Sequence, residues 1–101
     1  MTYDISFKDK NGNYVGDDWI SYTSSTGNKV KALTGYYISN WNGERCENVA
    51  CCLLRAINTL KRRIDSFFCA EDTASNEDTL AFLEKVYDNC KRYPDAAIEV
   101  I

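Results

Sequence analysis

The chain has 101 residues, enough for one domain with one hydrophobic core. Its 45% hydrophobic content and single proline exclude the composition of a disordered segment. Twelve basic and fifteen acidic residues leave a net charge of −3, which gives no broad attraction to nucleic acid or acidic lipid and is too mild for DNA mimicry.

Residues 2–8 alternate, with Tyr3, Ile5 and Phe7 on one side and Asp4, Ser6 and Lys8 on the other. This is the period of a half-buried strand. Asn11-Gly12 then marks a hairpin turn, and Tyr14-Val15 begins the return strand. Gly16-Asp17-Asp18 interrupts that strand, and extended character resumes from Trp19 to Thr23.

The turn formers of 24–28 read as a loop. Thr26 or Asn28 then caps a short helix over about 28–37, with Val30, Leu33 and Tyr36 or Tyr37 inward. Gly35 would lower the stability of that helix by about 1 kcal/mol relative to alanine.

Asn40-Trp41-Asn42-Gly43 breaks the chain again. The clearest element follows, a helix over about 44–64. Cys46, Val49, Leu53, Ile57, Leu60 and Ile64 share one narrow arc, and Asn48, Cys51, Arg55, Asn58 and Arg62 lie opposite. Phe67 and Phe68 extend the stripe or hold the next loop. A last helix starts at Ser75, its expected N-cap, with Asp78 in a box-like position. Its stripe is Leu80, Leu83, Val86, Tyr87 and Cys90, and Pro94 forbids continuation. Residues 96–101 alternate and read as a strand returning to the N-terminal hairpin. The order hairpin, helices, strand predicts a single α+β domain over 1–101, with two or three helices on a small antiparallel sheet.

No apolar run approaches the ~20 residues of a membrane span. The N-terminus lacks a basic region followed by an apolar stretch, so a cytoplasmic protein is expected. Five cysteines in such a setting are best read as free thiols.

The absence of histidine removes the commonest general base and metal ligand, and every Ser-His or Cys-His arrangement. Cys46 lies near a helix start, where a thiol can be activated, but its place on the apolar stripe favours a core role. No Cys-x-x-Cys pair suggests zinc, and the glycines form no phosphate loop. Asp17-Asp18, Glu71-Asp72 and Glu77-Asp78 read as solvated loops or complements of a helix dipole. No cofactor and no catalytic residue is therefore expected.

Arg55, Lys61, Arg62 and Arg63 form the one basic cluster. A phosphate-binding role competes with a simpler one, since cations are favoured at a helix C-terminal end. Trp41, between two asparagines, reads equally as a core lid or as an interface anchor. Trp19 leans towards the core.

Several segments together resemble a group of short bacteriophage and mobile-element accessory proteins. They are Met1-Thr2-Tyr3-Asp4-Ile5, Trp19-Ile20 with Thr23, Asn42-Gly43 before a helix ending Ala56-Ile57 and Leu60, Thr73 with Asn76 before Leu80 and Leu83, and Arg92-Tyr93-Pro94-Asp95-Ala96. The shortened hairpin and cysteine-rich middle helix depart from the group. The resemblance implies a bacterial host cell and a mobile-element gene, and carries over no site residue.

Two functions follow as expectations. The first is a non-enzymatic inhibitor that blocks a host defence protein, such as a CRISPR–Cas nuclease, using Trp41, Asn40, Asn42 and Glu44 with Asp17 and Asp18. The second is a nucleic-acid-binding regulator using Arg55, Lys61, Arg62 and Arg63. Oligomeric state stays open, and a homodimer fits a small domain with spare aromatics.

Overall fold

The computed structural model describes residues 2–65 and 73–101, apart from the side chains of residues 2, 17–19, 63–65 and 73–76. It is an α+β fold. Strands β1 (Thr2–Lys8), β2 (Tyr14–Thr23) and β3 (Ala97–Val100) form an antiparallel sheet in the order β2-β1-β3. Helices α1 (Ser24–Thr34), α2 (Cys46–Asp65) and α3 (Thr73–Arg92) pack against it, and a 3-10 turn (Ile38–Trp41) joins α1 to α2. The expected return of the C-terminal strand to the hairpin is present, with Phe7 opposite Ile98.

The hairpin turn is built by Asp9. Its Oδ1 accepts from the backbone N–H groups of Asn11 (2.9 Å) and Asn13 (3.0 Å), and Gly12 takes φ +84°. The break read at Gly16-Asp17-Asp18 is a bulge inside β2. Ile5 pairs with Ile20 and Phe7 with Val15, so Ser6 alone spans four residues, 16–19, on the partner strand.

Period-two alternation sends Ile5, Phe7, Ile20, Tyr22 and Ile98 into the core. The opposite sheet face is polar. Glu99 accepts from Tyr14 Oη (2.9 Å) and Ser6 Oγ (3.3 Å), with Lys8 Nζ 3.7 Å away, and Ser21 Oγ donates to Asp4 (2.6 Å). These partly exposed polar pairs across neighbouring strands fix register more than they add stability.

The middle helix follows its sequence pattern. Cys46, Val49, Leu53, Ile57 and Leu60 are buried, and Asn48, Cys51, Arg55, Asn58 and Arg62 are exposed. Ile64's side chain lies outside the described residues, as do Phe67, Phe68, Cys69 and Glu71-Asp72. On α3, Leu83, Val86 and Cys90 are buried, with Leu80 and Tyr87 packed against the core. Phe82, Thr79 and Asn89 are buried as well. Asn89 is tolerated there because its Nδ2 donates to Lys85 O (2.8 Å) and its Oδ1 accepts from Arg92 (3.2 Å).

Three local expectations are corrected. Helix α1 starts at Ser24, not near 28, because Thr23 is the N-cap and its Oγ1 accepts from Thr26 N (3.3 Å). Gly35 does not sit inside the helix but ends it, in the left-handed conformation at φ +84°, its N–H bonded to Lys31 O (2.8 Å). Helix α3 begins at Thr73, which places Ser75 inside it rather than at its cap. Thr23→Ala is expected to lower stability by about 1 kcal/mol, read as a shift in the urea midpoint.

Candidate functional site

The connection from α1 to α2, residues 35–45, carries the surface of interest. The Gly35 cap turns the chain away from α1. Tyr36 N then donates to Thr34 Oγ1 (3.2 Å). Tyr37 N donates to Asn40 Oδ1 (3.1 Å), and Asn40 N donates back to Tyr37 O (3.0 Å). This reciprocal pair closes the 3-10 turn.

The next residues lie along the outer edge of β3. Gly43 N donates to Ile98 O (2.7 Å), Ile98 N donates to Glu44 O (2.8 Å), and Val100 N donates to Asn42 Oδ1 (3.0 Å). The segment thus satisfies the open hydrogen-bonding groups of an edge strand. Ile38 and Trp41, 1% and 4% exposed, anchor it from beneath. A connection held by both hydrogen bonds and core side chains presents its outward residues in a fixed arrangement.

Those outward residues include Tyr36, Tyr37, Asn40, Asn42 and Glu44. Tyr36 is 57% exposed and Tyr37 50%. Lys31 Nζ lies 5.1 Å from the Tyr37 ring centroid. Between the connection and α2 runs an open groove of about 380 Å³, lined by Tyr36, Asn40, Trp41, Glu44, Asn48, Val49 and Cys52. A second groove of about 370 Å³ includes Tyr37, Tyr3 and Tyr22 in its lining. Tyr3 and Tyr22 stack there at 5.2 Å. Burial, and then the neighbouring Tyr3, push the Tyr22 phenol up from its ordinary value.

The sequence-derived site residues separate on this map. Asn40, Trp41 and Glu44 come together in one groove, and Asn42 lies beside them with its carbonyl oxygen already used by Val100. Trp41 takes the core-lid alternative, so it is the floor of the groove and not a projecting anchor. Asp17 and Asp18 belong to the β2 bulge, an element that contributes no described residue to the groove, and their side chains lie outside the described residues.

Arg55, Lys61 and Arg62 are exposed on α2, while Arg63's side chain lies outside the described residues. Lys61 shares a shallow groove of about 280 Å³ with Lys91, Glu84 and Asp88. Acids among the cations weaken the attraction this face offers a phosphate backbone.

The sequence pattern turned Tyr36 or Tyr37 inward, whereas both are exposed. A glycine C-cap followed by two aromatics is the signal that places them outside the helix. It also passed over Asn48 and Cys52, which share one helix row and line the groove with Glu44.

Cys46 and Cys90 are buried free thiols whose side chains are hydrogen-bonded to one another. The bond from Cys90 lowers the Cys46 thiol from its ordinary value, against the opposing effect of burial, with a backbone bond adding to the lowering. The same bond, then burial and the charge of Cys46, pushes Cys90 up. Cys46 is 0% exposed, in keeping with its core role. Among the described residues no three Cys, Asp or Glu side chains gather to hold a metal ion, and no helix is long and apolar enough to cross a membrane. Comparison with protein-family models, curated proteins and solved structures found no match.

Proposed function

We propose that this chain is a non-enzymatic binding protein from a phage or mobile element, acting by occlusion of a host defence protein such as a CRISPR–Cas nuclease. The observation that carries the proposal is the face on residues 36–48. It joins two exposed tyrosines, an exposed carboxylate and exposed asparagines on a connection fixed by β3 and the core. Tyrosine is enriched among interface residues that dominate binding energy, and a preformed surface loses little entropy on association. The resemblance to mobile-element accessory proteins supports the host-defence setting, and the residues on this face suit recognition.

The test is phage plating on CRISPR-immune bacteria that express the chain. Plating is expected to be restored by the natural sequence and lost with Tyr36→Ala, which removes about 2 kcal/mol or more of binding if Tyr36 is a dominant contact. Its melting temperature should stay near that of the natural chain, because the ring is mostly outside the core. Full restoration by Tyr36→Ala removes this face from the proposal.

A further inference from the structure

We infer that the groove above Trp41 receives an arginine side chain from a basic surface of the partner, an inference that rests on the binding role proposed above. Its lining carries the chemistry a guanidinium recognises. The Tyr36 ring, 57% exposed, offers aromatic surface for a flat cation over a floor closed by the buried Trp41. Glu44, just before α2, and Asn48, in its first turn, place a carboxylate and an amide in the same groove.

The Glu44 side chain makes no ion pair among the described residues, because its neighbouring cation is used elsewhere. Arg45 reaches Asp95 at 3.0 Å and Glu47 at 3.4 Å. A carboxylate left open beside an exposed aromatic ring, on a chain of net charge −3, is complementary to a cationic partner surface. Arginine fits better than lysine. Its planar fork of donors bonds a carboxylate in a two-point fashion and stacks on a ring, whereas an ammonium is a compact, strongly hydrated charge. The groove's volume, about 380 Å³, is at the small end of ligand clefts and suits a side chain rather than an extended segment.

The experiment is an NMR titration of the isotopically labelled full chain with three blocked tripeptides, Gly-Arg-Gly, Gly-Lys-Gly and Gly-citrulline-Gly. Citrulline keeps the shape of arginine and removes its charge. Saturable shifts of the Tyr36, Glu44 and Asn48 amides are expected with the arginine peptide. Lysine should bind more weakly and citrulline should give no saturable shift. Glu44→Gln, with an unchanged melting temperature, should weaken arginine binding by about tenfold or more, as expected for loss of a charge-assisted hydrogen bond.

Equal binding of citrulline, an unaffected Glu44→Gln variant, or shifts confined to other surfaces overturns the assignment. If the arginine peptide fails and Tyr36→Ala still abolishes protection in the plating test, the binding face stands and its occupant is not arginine. If both fail, the face and its occupant fall together.

Discussion

Replacing Gly16 by alanine is expected to remove about 3–5 kcal/mol of stability, a large share of the 5–15 kcal/mol typical of a natural domain. Two costs combine. Gly16 has φ +76°, where a Cβ is disfavoured by about 1–2 kcal/mol. The added Cβ would also collide with Asn89 Oδ1 and come within 3.2 Å of Asn89 Cγ. Asn89 is fully buried and held to Lys85 and Arg92, so it cannot yield without losing hydrogen bonds inside the core.

Gly12→Ala is the control, because Gly12 has the same positive φ but nothing within 4 Å of its added Cβ. That variant should show the backbone cost alone. Urea unfolding followed by circular dichroism separates the two. Equal losses at both positions would mean that the β2 bulge does not sit against Asn89.

Trp41→Ala is the second large effect, expected to destabilise the fold by about 3–5 kcal/mol. The ring is 4% exposed and belongs to the same core as Leu53 and Ile98. Its loss opens a void under the segment that covers the edge of β3. For a domain of this size each kcal/mol lowers the melting temperature by about 4–8 °C, so a fall well beyond 10 °C is expected. A binding defect in Trp41→Ala would therefore report unfolding, not the loss of a contact. Tyr36→Ala is the variant that reads the surface. If Trp41→Ala melts with the natural protein, Trp41 is not a core residue and the projecting-anchor alternative returns.

The parts legible in the sequence were those set by local period. The stripe Cys46, Val49, Leu53, Ile57 and Leu60 identified α2 almost to its ends, and the alternation of 2–8 and 96–101 identified two paired strands. Asn-Gly marked the hairpin turn. Ambiguity grew where one residue type serves two backbone states. The turn formers at 24–28 read as a loop because such side chains compete for backbone groups, yet the same competition makes Thr23, read as the end of a strand, a helix cap. Gly35 reads as a weak residue inside a helix, yet it ends that helix, and the difference leaves both Tyr36 and Tyr37 exposed. Trp41 was undecidable from its neighbours, since its burial depends on β3 arriving from more than fifty residues away. The groove was partly legible for the same reason. Asn40, Trp41 and Glu44 were named together, while Tyr36, Asn48 and Cys52 needed the turn geometry to join them. The Asn89–Gly16 contact had no local signal at all.

We propose that this protein acts through a preformed surface and not through turnover. The most direct measurement titrates a CRISPR nuclease whose activity the chain suppresses, following DNA cleavage against the molar ratio of the two proteins after short and long incubation. Suppression that reaches completion near equimolar protein and does not deepen with time is the expected result. Complete suppression by a small fraction of the nuclease concentration, growing with incubation, would contradict it.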